Sequence, residues 1–359
     1  MTSSNRVIRG LLLSTLVLGT SSHCAAGDGR FPRLERFRER REQESQSATT
    51  PAPTAGTTRE AEPAPAPLAG GSDRDETLTV DGRERTYYVH LPPGLSPSGS
   101  YPLVFNFHGG RGSGHQQAEL SKMNGYADRY GFIAVYPDGI EKNWNDGRGT
   151  TEPSKMGIDD VKFVRAVYDK LRNTYAVDPK RVYSTGISNG GMFSYRLACD
   201  MSDVFAAIGP VVGSLATKHR PGCKPASPVA VVSIMGDADE FVPLQGGEEG
   251  WKNGKGDGGQ LESESAMKDF WSKHNACSSE PSVTQLPVRV NDGTSVRKVT
   301  FSGCRNGADV VFYTIAGGGH TWPPNEFKWG FMNRMAGKSS QNIDATQVIW
   351  DFFSRHPKS

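Results

Sequence analysis

The sequence predicts an α/β fold, a mostly parallel central sheet flanked by helices in a single domain, and three observations carry that expectation. Short apolar runs of strand type recur at Leu103–Phe107, Phe132–Tyr136, Val182–Thr185, Val229–Met235 and Val310–Ile315. Helical patterns lie between them: Val161, Val164, Val167 and Leu171 repeat at helical spacing between the second and third runs. A strand pattern, Arg181 to Thr185, also enters Gly186-Ile187-Ser188-Asn189-Gly190-Gly191 directly, and a helix pattern leaves it toward Cys199. Strands alternating with helices imply a mostly parallel sheet covered on both faces.

Taken in order, the first 72 of the 359 residues stand apart from this pattern. Arg6 and Arg9 precede the apolar stretch Leu11–Gly19, and small residues lead to Ala25-Ala26, so residues 1–26 are expected to be an export signal. Residues 27–72 mix alternating charges with a tract rich in Ala, Pro, Thr and Gly, a composition that cannot bury enough surface to offset its ordering entropy; a linker is expected there. That leaves residues 73–359, roughly 285 residues, enough for one domain with a sizeable core. Its first element should be a hairpin, Thr77–Val80 and Arg85–Leu91 about an Asp81-Gly82 turn. Asp159 and Asp160 fall where a helix start wants capping carboxylates. Further on come an apolar run from Phe205 to Val212 and a closing amphipathic helix from Asp344 to Phe353. The Gly-rich stretch Gln245–Gln260 reads as a surface insertion.

A net charge of +2 implies neither nucleic acid nor an acidic polymer as partner. No run approaches the ~20 apolar residues of a membrane span, so no integral membrane segment is expected in the mature protein. Cys24 follows the apolar stretch as a lipidated cysteine would, but Ser21-Ser22-His23 is a poor lipidation signal, and a secreted protein is the better expectation. Cleavage after Ala26 leaves four cysteines, and sequence proximity favours the pairs Cys199–Cys223 and Cys277–Cys304.

The chemistry centres on Ser188. A serine flanked by glycines at a strand-to-helix turn is held in a strained conformation with its hydroxyl exposed. Serine is a weak nucleophile at neutral pH and needs a base oriented by a carboxylate, here in the chain order serine, acid, histidine. Of His219, His274, His320 and His356, only His320 follows a buried-strand pattern on a glycine loop, Gly317-Gly318-Gly319. The acid should follow Val229–Met235, where Asp237 and Asp239 both qualify and spacing does not separate them. Donors for a tetrahedral oxyanion are expected from the backbone at Gly109 and Gly110, after the strand ending at Phe107, and at Asn189.

Together these motifs resemble the polyhydroxybutyrate depolymerase and feruloyl esterase-like family of the α/β-hydrolase superfamily, related to carbohydrate esterase family one. The motifs are His108-Gly109-Gly110, the Gly186–Gly191 turn, Asp239-x-x-Val242-Pro243 and Gly318-Gly319-His320-Thr321-Trp322-Pro323, and the likeness spans about residues 75 to 355. It implies a serine ester hydrolase working through an acyl-enzyme, with no cofactor and no metal. It also favours Asp239, the later aspartate of the Gly-x-x-Asp-x-x-Val-Pro pattern, and the four cysteines resemble the family's disulfide usage. One departure is Met235, where relatives often carry histidine. The expected partner is an ester substrate, either a feruloylated or acetylated polysaccharide or a hydroxybutyrate polyester, with Trp144 and Trp322 as aromatic substrate-binding candidates. The competing expectations are a catalytically silent scaffold that binds polymer or cell wall, and a serine peptidase of the same fold.

Overall fold

A computed structural model describes residues 71–250, 256–278, 280–327 and 334–359. The expected export signal and all but the last two residues of the expected linker lie outside these. Ser72, given above to the linker, is already in the first strand.

Strands β1 (Ser72–Val80) and β2 (Arg83–Leu91) form the hairpin, with Asp81 and Gly82 both at positive φ (51° and 73°), as the right-handed twist of a two-residue turn demands. The sheet then takes β3 (Tyr101–Phe107), β4 (Ile133–Pro137), β5 (Val177–Ile187), β6 (Ala207–Val211) and β7 (Ala230–Gly236). A separate two-stranded ribbon, β8 (Gly247–Glu248) and β9 (Gln260–Leu261), lies in and just beyond the Gly-rich insertion. Strands β10 (Ser282–Gln285), β11 (Ser295–Phe301) and β12 (Val310–Ala316) complete the main sheet. Its ten strands run in the order β1-β2-β4-β3-β5-β6-β7-β12-β11-β10. The six central strands, β4 to β12 in that order, are parallel, and antiparallel pairs close both edges.

Side-chain alternation explains why those apolar runs are continuous. In β4, Ala134 and Tyr136 join one core cluster while Ile133 and Val135 join the other; in β3, Val104 faces the first and Leu103, Phe105 and Phe107 the second. Helices cover both sides. On the first side pack α1 (Gly114–Ser121), α2 (Met123–Tyr130) and the C-terminal helix, here α6 (Ala345–Phe353). On the second pack α3 (Asp160–Thr174) and α4 (Asn189–Asp200), followed by α5 (Glu264–His274) over a third cluster. Among the described residues no helix is long and apolar enough to cross a membrane.

Both expected disulfides are present, Cys199–Cys223 at the end of α4 and Cys277–Cys304 joining the segment after α5 to the one after β11. Asp159 caps α3, its side chain accepting from Lys162 N. Asp160 departs from the capping expectation. It is fully buried, pairs with Arg85 at 2.7 Å and accepts the Asn145 N–H at 2.8 Å, while the Arg85 guanidinium lies 3.9 Å from the Phe163 ring centre. Removing one partner of such a pair leaves a buried charge uncompensated. Arg85→Met should lower the unfolding free energy by about 3–5 kcal/mol in a denaturant titration, and adding Asp160→Leu should recover part of the loss.

Candidate active site

Ser188 sits between β5 and α4 at φ 55° and ψ −122°. Its backbone is held from two sides, Ser188 N donating to Val211 O at 2.9 Å and Met192 N donating to Ser188 O at 2.8 Å. The flanking glycines answer to the neighbouring strands: a Cβ on Gly186 would stand 2.6 Å from Phe107 O, and one on Gly190 would stand 2.3 Å from it. Any larger residue would force β3 and the turn apart.

Two strands along, the chain leaves β7 through Asp237 and Asp239, which do different things. Asp237 is exposed and its Oδ1 accepts the Gly317 N–H at 2.7 Å, tying the turn after β7 to the turn after β12. The Asp239 carboxylate is fully buried, its Oδ1 accepting from Phe241 N at 2.8 Å and Val242 N at 3.0 Å. Its Oδ2 meets His320 Nδ1 at 2.8 Å. The His320 loop is itself pinned, with His320 N donating to Ala336 O at 2.6 Å and Gly319 N to Lys338 O at 2.9 Å. The Phe241 ring packs 4.9 Å from the imidazole. With Nδ1–H committed to Asp239, Nε2 keeps its lone pair, the tautomer a general base requires. Ser188, Asp239 and His320 therefore leave β5, β7 and β12 at the same carboxyl edge of the sheet, where α/β folds bind ligands.

The His108-Gly109-Gly110 turn approaches from β3. A Cβ on Gly109 would lie 3.4 Å from Ser188 Cβ, so this backbone runs against the serine, and one on Gly110 would lie 3.0 Å from Asn143 Oδ1. His108 locks the turn. Its Nδ1 donates to Gly109 O at 2.7 Å, while Nε2 accepts from Gly139 N at 3.0 Å, an arrangement open only to the neutral ring. Burial holds its pKa below the usual histidine range, against the opposing Gly109 carbonyl and Asp138 charge.

Trp144 and Trp322 do not line a substrate pocket. Both are fully buried, and each indole N–H is satisfied inside, Trp144 Nε1 by His108 O at 3.0 Å and Trp322 Nε1 by Thr346 Oγ1 at 2.9 Å. A ring sealed on all sides offers no face to a substrate. Nor is the Gly-rich insertion merely peripheral, because buried Arg148 donates to Glu249 Oε2 at 2.7 Å and to Gly258 O at 2.8 Å. Sequence reasoning missed this ion-pair chain and the His108 lock. The only signal for the ion-pair chain was Asp146-Gly147-Arg148, opposite charges two apart in a short polar loop, and for the lock the histidine of His108-Gly109-Gly110 itself.

Residues 85–223 match the family described as esterase PHB depolymerase. The chain is 31% identical over 295 residues to "Putative esterase NocK" of Nocardia uniformis subsp. tsuyamanensis, covering 80% of this chain and 84% of that protein. The chain belongs to this esterase family. As a member it is a carboxylic ester hydrolase. It is also 30% identical over 260 residues to feruloyl esterase B of Piromyces equi, across 70% of the chain but only 45% of that longer protein. The acetyl xylan esterase of Aspergillus awamori shares the fold, with a TM-score of 0.51 at 17% identity over 70% of this chain and 95% of that one.

The neutral His108 gives the esterase a pH signature. A histidine whose folded pKa is depressed supports the fold fully above the ordinary imidazole value of about 6.5 and loses that support as pH falls below it. Half-buried His274 shifts the same way, through desolvation, and contributes with the same sign. Unfolding free energy measured between about pH 7 and 5 should therefore fall more steeply for the wild type than for His108→Asn. The difference should reach at most about 1.4 kcal/mol per pH unit; equal slopes would refute it.

Proposed function

We propose that this esterase hydrolyses acyl esters of polysaccharide outside the cytoplasm, with Ser188 as nucleophile, His320 as base and Asp239 as its orienting acid. The observation that carries the reading is the 2.8 Å bond from His320 Nδ1 to a carboxylate whose other oxygen already holds two backbone N–H groups. A carboxylate fixed in this way can orient an imidazole without itself turning. A silent binding scaffold has no use for that arrangement.

In this mechanism Ser188 Oγ attacks the ester carbonyl as its proton passes to His320 Nε2. The C=O electrons move onto oxygen, and the backbone N–H groups at Gly109 or Gly110 and at Asn189 receive the oxyanion. Collapse expels the alcohol, which takes the proton from His320, and leaves an acyl-serine. Water then repeats the sequence, losing its proton to His320 and releasing the acid as Ser188 is reprotonated. Asp239 stabilises the imidazolium in both halves and accepts no proton.

The substrate class rests on the relatives, of which one is named a feruloyl esterase and another fold-mate an acetyl xylan esterase. Export is supported by two disulfides, a feature of oxidising compartments. Methyl ferulate, acetylated xylan and hydroxybutyrate oligomers form the deciding panel. Turnover confined to the last would replace polysaccharide by polyester. Ser188→Ala should lower kcat by roughly a million-fold with the fold intact, and Asp239→Asn by roughly 10⁴-fold. Asp237→Asn should instead reduce thermal stability with little change in rate. A large kinetic loss at Asp237 and none at Asp239 would reverse the assignment of the acid.

A further inference from the structure

The carbonyl and N–H of a trans peptide point in opposite directions, so whatever grips the carbonyl aims the N–H. The Gly109 N–H belongs to the peptide whose carbonyl is His108 O, and that oxygen accepts the Trp144 indole N–H at 3.0 Å. The same residue grips the other side of the hole. Trp144 N donates to Asn189 Oδ1 at 2.8 Å, and Asn189 Nδ2 donates to Trp144 O at 3.2 Å and to Asp146 Oδ2 at 2.6 Å. Its ring lies between the two arms, stacked on Phe193 of α4 at 5.1 Å and edge-on to Phe107 of β3 at 5.2 Å.

The loop that carries Trp144 has no regular structure, yet its polar groups are fixed from beneath. Asn145 N donates to Asp160 Oδ2 at 2.8 Å, and Asn145 O accepts from Arg196 Nη1 at 2.6 Å. Asp146 is held by Arg148 Nε at 2.9 Å, and both side chains are essentially without exposure. Arg148 reaches on to Glu249, so the brace ends in the Gly-rich insertion.

We propose that Trp144 is the positioning residue of the oxyanion hole, setting the Gly109 peptide and Asn189 at a fixed separation. The buried Asp146–Arg148–Glu249 chain keeps it in place. The inference rests on the serine-esterase reading above, and it replaces a substrate-binding role for Trp144 with one exerted through two backbone donors. Trp144 touches no reacting atom in this scheme.

Trp144→Phe keeps an aromatic ring in the core and removes the indole donor together with the extra volume of the fused ring. With an aryl acetate substrate, kcat should fall about tenfold or more, less than the loss of a whole donor, with KM changed by less than about twofold. Affinity for an aryl trifluoromethyl ketone, whose serine hemiketal places an oxyanion in the hole, should fall by the same factor, with the thermal midpoint within about 4 °C of wild type. Asn189→Ala releases the brace from the other side and should give the same split. The double substitution should cost less than the product of the two. A kcat within about twofold of wild type in folded Trp144→Phe overturns the proposal, as does a kcat loss that leaves the ketone's affinity unchanged. Should Trp144→Phe fail to fold, the kcat and ketone affinity of Asn189→Ala decide by the same criteria. Ser188→Ala separates the two levels. If it stays active, the assignment of Ser188 as nucleophile falls and takes this inference with it; if it is inactive while Trp144→Phe behaves as wild type, only the inference falls.

Discussion

Between β5 and α4 the chain turns through Ser188 at φ 55° and ψ −122°, a region that costs an L-residue about 1–3 kcal/mol. The turn persists because its neighbours over-determine it. Val211 O on β6 takes the serine N–H, the first turn of α4 takes its carbonyl, and Phe107 O on β3 presses where side chains of Gly186 and Gly190 would be. Three parallel strands in register thus hold one half-buried serine in place. The parallel sheet follows from this demand as much as from hydrophobic burial. Only a parallel arrangement delivers β3, β5, β7 and β12 to one edge with their loops converging.

Convergence alone leaves loops free to wander, and here the restraint is polar. The loop around Asn145 offers backbone groups that no helix or strand satisfies, and charged side chains take them up: buried Asp160 binds Asn145 N and half-buried Arg196 binds Asn145 O. Each buried charge needs its own partner, which is why Arg85 sits on Asp160 and Glu249 on Arg148. Burial raises the Glu249 carboxyl above its usual range, with Arg148 acting against that shift and Asp257 adding to it. Polar specificity near the hole therefore extends outward into the insertion instead of stopping at the first layer of residues.

How much of this was legible follows from which signals burial leaves in a sequence. Strands β3, β4, β5, β7 and β12, buried along most of their length, declare themselves as apolar runs. β11 buries only Val296 and Val299 and β10 is exposed throughout, so neither formed such a run. Helix α1 was hidden because its core face is partly polar: Gln117 and Ser121 are buried, bonded to Asn106 at 2.7 Å and 3.0 Å. The site motifs were legible because glycines and histidines in strand-end loops are rare enough to stand out. Aromatic residues misled. An indole looks like a substrate platform until its N–H is found paired inside, and no sequence pattern reports that pairing for Trp144 or Trp322.

The two aspartates after β7 show where spacing stops and geometry begins. They are two residues apart on one turn, and their spacing in the sequence does not say which one meets a histidine on the adjoining loop. What divides them is the fate of their acceptor oxygens. Asp237 stays in solvent and binds the Gly317 N–H, so it fastens the β7 turn to the start of the loop that carries His320. That fastening draws the two loops together, and Asp239, turned inward with Oδ1 occupied by Phe241 N and Val242 N, has one oxygen left to offer. The imidazole meets that oxygen at 2.8 Å. The outer aspartate thus ties the two loops and the inner one holds the ring, a division that occupies two carboxylates where the proposed mechanism uses one.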